Sequence, residues 1–311
     1  MGSRLPSEQA VWEVNELLEN VTCTEGVLVV TPSIADRVSA TLPYRRETLA
    51  SVPIGTPWLV VAGGGSLMDD AKRWRVTQSP GTRLAVIPTI WGSGAEVSPI
   101  AVTHGDAKEI AMSPALIPDV RVRWASLADG LPAPLARWAS GDALTHAVEA
   151  LLSPLGDDEL RRGLAAVLNR MLDGPADAAE WFDASAEACR LQSRASVGLV
   201  HGIAHVLEPA LWSAGRRDHA AHARICTAWL APVMRFNLTA SPKAAERLKR
   251  FGVSPDRLLA TAERYGDREA ALATSAEVRR LWSDIVRDRC TRTNVALIRL
   301  GDVDALLGTL A

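Results

Sequence analysis

Within residues 140–150, "SGDALTHAVEA", Asp142 and His146 stand out from an otherwise apolar, alanine-rich segment. Residues four apart on a helix share one face at neighbouring heights, so this carboxylate and imidazole can address one object. A metal ion is such an object. Of the six histidines, His104 lies in the turn-like "THGDAK" and reads as merely exposed; the rest fall in three segments. These hold His146, then His201 and His205 in "GLVHGIAHVLEP", then His219 and His222 in "RRDHAAHARICTAW". His201 and His205 repeat the four-residue spacing, so one can bind a metal while the other faces a substrate or cofactor one turn away. His219 and His222 share a face at a spacing of three, and spacing does not say which is the ligand. Three histidines plus Asp142 make a set of nitrogen and oxygen donors suited to iron(II) or zinc. A single histidine on an apolar helix is ordinarily a satisfied core residue; the recurrence is what argues for a metal.

A second chemical signal is glycine-rich. "VVAGGGSLMDDAK" passes from a strand through Gly63, Gly64, Gly65 and Ser66 into a helix that includes Asp69 and Lys72. Glycines let a backbone approach a ligand closely, and the N–H groups at a helix start attract phosphate, which makes this turn a pyrophosphate cradle. It is not the GxGxxG fingerprint, and the plainer reading is a structural turn. A later stretch, "IPTIWGSGAEVSPI", offers the hydroxyls of Thr89, Ser93 and Ser98 beside Gly92 and Gly94. Parallel strands place such loops along one sheet edge, where both can line a nucleotide; the alternative is a loop that satisfies its own backbone.

The elements that must position these residues change character along the chain. Residues 26–31, 57–65 and 83–89 are short apolar runs rich in β-branched residues, as in a parallel sheet covered on both faces, and residues 121–124 add another strand. After residues 127–134, "LADGLPAP", strand signals stop and helices with short polar breaks follow, among them "PLGDDELRRGLAAVLNRML" and "SAEVRRLWSDIVRDRC". The expected fold is an α/β domain with a parallel dinucleotide-binding sheet over residues 1–126 and an all-helical metal-binding domain over 127–311, with the active site in the cleft between them. Trp12 and Trp282 read as core residues on amphipathic helices.

Composition excludes several partners. The 311 residues carry 34 Lys plus Arg against 36 Asp plus Glu with no basic block, which implies neither a nucleic-acid surface nor an anionic membrane. Four cysteines without a CxxC pair give neither a disulfide framework nor a zinc ribbon, so reduced thiols are expected. No apolar run approaches the roughly 20 residues of a membrane span, and the opening "MGSRLPSEQAVWEV" lacks a signal core. A cytoplasmic protein acting on a small molecule is the expectation.

Taken together, "GGGSLMDDAK", "IPTIWGSGAEVSPIAV", "LIPDVRV", "SGDALTHAVEALLSP", "GLVHGIAHVLEP" and "HARICTAWLAPVMRFN" resemble, in order, the iron-containing (group III) alcohol dehydrogenase superfamily. That superfamily includes glycerol dehydrogenase, maleylacetate reductase and, more distantly, dehydroquinate synthase. The resemblance implies a divalent metal, Fe2+ or Zn2+, on Asp142, His146, His201 and, counting back from "MRFN", His222 rather than His219. It implies that His205 lies beside a nicotinamide and helps move the alcohol proton. It places NAD or NADP on Gly64, Gly65, Ser66 and Asp69, with Thr89, Ser93, Ser98 and Lys108, the last in a shortened loop. A homodimer or larger homo-oligomer is expected by the same likeness.

Departures from the family pattern bear on the cofactor. The glycine turn arrives early, and between residues 31 and 57 there is room for one helix and a connector. The strand whose acidic end receives the adenosine ribose therefore reads as absent. Trp91 stands where the family usually has a small residue and is expected to narrow the cleft or to occupy part of the nicotinamide side. The leading function is hydride transfer between an alcohol and an aldehyde or ketone, with a small-molecule or modified-peptide substrate. The shortened nucleotide domain suggests natural-product or peptide tailoring, for instance oxidation of a β-hydroxy amino acid with loss of carbon dioxide. The competing readings are a dehydroquinate-synthase-like lyase using bound NAD, and a non-catalytic family member acting as a binding or assembly partner.

Overall fold

Why the apolar runs of the first third are continuous rather than alternating is explained by what covers them. The computed structural model describes residues 9–104, 108–216 and 221–310, without the side chains of Thr103, His104 and Lys108. It divides into two compact units, a first that ends at Leu131 and takes in Asp177–Phe182, and a second formed by Pro132–Ala176 and the chain from Asp183 onward.

The first unit contains β1 (Ala10–Glu13), α1 (Val14–Asn20), β2 (Gly26–Val30), α2 (Ala35–Ser39), β3 (Arg45–Arg46), β4 (Trp58–Gly63), α3 (Gly65–Gln78), β5 (Arg83–Pro88), β6 (Ile100–His104), β7 (Lys108–Met112) and β8 (Val120–Arg123). Six of the strands form one all-parallel sheet in the order β1-β8-β5-β4-β2-β3. Along β4 the side chains alternate between two buried layers. Val60 and Ala62 join Leu28, Ala85, Ile87 and Val122, while Leu59 and Val61 join Val27, Val29, Leu84, Val86 and Met68. Both faces of β4 are covered, which is why its apolar run is continuous rather than alternating.

Three sequence expectations are corrected here. Trp12 lies on β1, not on a helix, and packs against Trp58 with ring centroids 5.7 Å apart. The strand read as absent exists as the two-residue β3, parallel to β2 and followed by Glu47; two exposed arginines carry no hydrophobic pattern that could announce it. Glu47 accepts a hydrogen bond from Ser51 Oγ at 2.7 Å and pairs with Arg45 at 3.2 Å. Lys108 does not sit in a loop but opens β7, paired with His104 in an antiparallel hairpin; both of their side chains lie outside the described residues.

A buried cation ties this hairpin to the glycine turn's helix. Lys72, on α3, is fully buried and donates to Asp69 Oδ1 at 2.9 Å, to the Ala95 carbonyl at 3.0 Å and to the Ile100 carbonyl. Asp69 Oδ2 in turn accepts from the Val102 N–H at 3.0 Å. Burial pushes the Lys72 ammonium pKa down, against the pull of Asp69.

The second unit is helical: α4 (Ala133–Leu152), α5 (Asp158–Asp173), most of α6 (Ala178–Gln192), α7 (Leu199–Ser213), α8 (His222–Ala240), α9 (Pro242–Arg250), α10 (Pro255–Tyr265), α11 (Arg268–Arg280), α12 (Trp282–Arg287) and α13 (Val303–Gly308). Asp157, Ser254 and Asp267 start α5, α10 and α11 by accepting from the N–H three residues on. From Ala139 to Leu152, α4 is buried on nearly every side, which makes it the central helix of the unit. It packs closely on α8 because Gly141 has no side chain; a Cβ there would lie 2.2 Å from Thr227 Oγ1 and 2.8 Å from Thr227 Cβ. Among the described residues, no helix is long and apolar enough to cross a membrane.

Two stability outcomes follow. Lys72→Met leaves a buried carboxylate without its cation and lowers unfolding free energy by about 3–5 kcal/mol in urea denaturation, whereas Lys72→Met with Asp69→Leu lies nearer wild type. Gly141→Ala forces a branched, buried threonine to move and costs about 1–3 kcal/mol in the same measurement.

Candidate metal centre

Three helices of the second unit carry the expected ligands: α4 holds Asp142 and His146, α7 holds His201 and His205, and α8 opens with His222. The structure gathers all four imidazoles. The His201 ring lies 4.4 Å from His146, 5.5 Å from His222 and 6.1 Å from His205, centroid to centroid, and His205 lies 5.9 Å from His222. Asp142 Oδ1 is 3.8 Å from His146 Nε2 and 3.9 Å from His201 Nε2. His219, the alternative to His222, lies outside the described residues.

Polar atoms in such a place ordinarily find partners inside the protein. Here Asp142 Oδ1 and His146 Nδ1 are buried and accept or donate no hydrogen bond. Burial, reinforced by the neighbouring His201, holds the His146 imidazolium pKa down at about 3 against the pull of Asp142. His146 is therefore neutral at ordinary pH and keeps a lone pair for a Lewis acid. Among the described residues, Asp142, His201, His222 and Cys226 form a four-donor set whose ligand atoms all lie within 4.8 Å of one another, and the His146 ring lies beside that of His201.

Two glutamates behind the histidines were missed by the sequence reading, although both stand in the quoted segments. Glu149 Oε2 lies 2.8 Å from His201 Nδ1, and Glu208 Oε2 lies 3.2 Å from His222 Nδ1. A carboxylate on one ring nitrogen fixes the tautomer and presents the other nitrogen to a metal, as in carboxylate–histidine–zinc triads. Glu149 also accepts from the N–H groups of Gly198 at 2.9 Å and Val200 at 2.7 Å, so it caps α7. Burial pushes its carboxyl up to about 7 in spite of those donors. Gly198 and Gly202 flank His201 because side chains there would collide, with Glu149 and Asn294 in one case and with Thr291 Oγ1, at 1.9 Å, in the other.

His205 belongs to a neighbouring cluster with Asp288 and Cys290. Its Nδ1 lies 3.5 Å from Asp288 Oδ2. Burial works against ionisation of Asp288, but His205 and the backbone N–H groups of Cys290 and Thr291 outweigh it and hold the carboxyl pKa below its ordinary value.

The expected nucleotide residues lie in the first unit. Gly64 is the N-cap of α3 and, being glycine, offers no side chain to cap the first N–H groups of that helix. β4 and β5 are neighbours, and Gly65 and Ser93 meet: a Cβ on Gly65 would lie 2.6 Å from Ser93 Oγ. Ser66 and Ser93 are exposed and Thr89 is half-buried, its N–H bonded to the Gly63 carbonyl at 3.1 Å. Ser98 is buried and turned inward, its Oγ accepting from the Ile100 N–H at 3.0 Å, while Asp69 is engaged by Lys72 and Val102. Trp91 is packed rather than projecting, stacked on Trp181 at 6.0 Å and edge-on to Phe182 at 5.5 Å.

No family model matches the chain. It is 31% identical over 224 residues to the 1-propanol dehydrogenase PduQ of Salmonella typhimurium, a match covering 66% of this chain and 58% of that protein. It is 29% identical over 275 residues to the probable alcohol dehydrogenase EutG of Escherichia coli K12, covering 78% and 64%. The chain thus spans less than two thirds of the length of these relatives. The fold matches the iron-containing alcohol dehydrogenase of Thermococcus thioreducens with a TM-score of 0.77 at 20% identity, covering 97% of this chain and 98% of that one. It also matches the maleylacetate reductase of Rhizobium sp. strain MTP-10005 with a TM-score of 0.71 at 19% identity, covering 99% and 98%. In its motifs and its sequence matches the chain is similar to alcohol dehydrogenases, and its fold is that of the iron-containing alcohol dehydrogenases.

Proposed function

We propose that this chain is a metal- and NAD(P)-dependent oxidoreductase that interconverts an alcohol and an aldehyde or ketone. The observation that carries the reading is the meeting of buried Asp142 and His201 with half-buried His222, two of them imidazoles backed by their own carboxylates, around an Asp142 oxygen that no hydrogen bond satisfies. The donor chemistry fits a divalent ion held by Asp142, His201 and His222, with His146 one turn from Asp142. The uncapped start of α3 and the glycine turn fit the pyrophosphate of a dinucleotide, with Ser66, Thr89 and Ser93 nearby.

When bound, a divalent metal supplies Lewis-acid polarisation of the substrate oxygen, and a nicotinamide supplies the hydride acceptor or donor. The chain's own residues do the rest. Glu149 and Glu208 keep His201 and His222 in one tautomer and orientation. Asp288 occupies the Nδ1 side of His205, so Nε2 is the atom that takes up or returns the alcohol proton. Names of the relatives support a small alcohol as substrate: 1-propanol dehydrogenase for one and lactaldehyde reductase of Escherichia coli K12, at 26% identity, for another.

Purified protein is expected to carry about one divalent metal per chain by elemental analysis, and Asp142→Ala is expected to lose it. Titration of NADH and NADPH reports the other half of the site; binding of neither turns the reading to a family member that assembles rather than catalyses. His205→Asn is expected to retain the metal while kcat falls about 10²- to 10⁴-fold in a screen of primary alcohols, secondary alcohols and β-hydroxy amino acids. Unchanged kcat removes His205 from the proton path.

A further inference from the structure

The resemblance that points to Asp142, His146, His201 and His222 leaves out a donor that lies among them. Cys226 follows His222 by four residues on α8, so both side chains leave the same helix face. Its Sγ is 3.6 Å from His222 Nε2 and falls in the set of four ligand atoms that lie within 4.8 Å of one another. About a tetrahedral ion, bonds of roughly 2.0 Å to nitrogen and 2.3 Å to sulfur place those two atoms about 3.5 Å apart. The observed separation matches that edge. Independently, Asp142 Oδ1, on a residue only 2% exposed, is aimed into the same cluster without a hydrogen bond.

We propose that Cys226 is a metal ligand in this protein, its thiolate entering the shell with Asp142, His201 and His222. The inference rests on the metal centre of the preceding section and deepens it by saying which ion the centre prefers. Binding converts Cys–SH and a divalent ion into a metal–sulfur bond with release of one proton to solvent; nothing is oxidised or reduced. With Asp142 and the thiolate both negative, the divalent charge is neutralised, which suits a largely buried location better than a net cation does. A soft sulfur donor also shifts preference from iron(II) toward zinc.

A thiol-to-imidazole hydrogen bond has the same 3.6 Å separation and would leave sulfur outside the shell. X-ray absorption at the zinc edge of the zinc-loaded full chain separates the two. One sulfur at about 2.3 Å is expected in the wild type. Cobalt(II) loading gives the complementary readout: an intense near-ultraviolet thiolate-to-cobalt band in the wild type, lost in Cys226→Ser while cobalt remains bound. Near-ultraviolet circular dichroism checks that the variant keeps its packing, and the wild-type zinc spectrum stands without it. A shell of nitrogen and oxygen alone in the wild type overturns the thiolate and leaves the metal centre intact. A wild type that takes up neither zinc nor cobalt overturns both.

Discussion

The placement of His201 in the candidate metal centre depends on one buried carboxylate, that of Glu149. It accepts hydrogen bonds from the first N–H groups of α7 and from the Nδ1 of His201, so the same group that starts the helix also aims its ligand. The helix cannot start elsewhere without leaving a buried carboxylate unsatisfied, and His201 cannot rotate without breaking the shortest bond it makes there. Burial raises the carboxyl to about 7, which shows how strongly this location resists an unpaired negative charge. A divalent cation held on the far nitrogen of His201 would supply the compensation, so helix capping and the proposed metal binding favour one arrangement.

The close packing of three helices is what converts that arrangement into a site. The candidate ligands on α4, α7 and α8 converge because small residues sit next to them: Gly141 precedes Asp142 and Gly202 follows His201, each against a threonine that leaves no space for a methyl group. The glycines set how near the backbones approach, and the ligand atoms then meet within 4.8 Å. In the first unit a different device does similar work. Lys72 draws Asp69, the Ala95 carbonyl and the Ile100 carbonyl around one ammonium, which holds the loop after β5 against the helix that begins at the glycine turn.

Long elements with uniform environments were legible in the sequence. β2, β4, β5 and β8 announce themselves because both sheet faces are buried, and α4 does so because it is rich in alanine and buried on nearly every side. β1 and β3 were not legible: Trp12 in a four-residue strand fits a helix face equally well, and Arg45–Arg46 shows no burial pattern. At the centre, repeated four-residue spacings exposed Asp142, His146, His201 and His205. Glu149 and Glu208 were hidden because an acidic residue on a helix ordinarily faces water, and Cys226 because a lone cysteine in an apolar helix ordinarily fills the core.

The sequence by itself determined which residue types share a helix face, and so that Asp142 with His146, and His201 with His205, could serve one site. Local spacing is a property of the helix alone, and it survives without knowledge of what lies opposite. Only the tertiary structure decided which faces meet, that Glu149 reaches across from α4 to His201, and that Cys226 comes to lie among the expected ligands. Those facts depend on how closely α4, α7 and α8 approach one another. That distance is set by packing between residues far apart in the chain, where no local pattern records it.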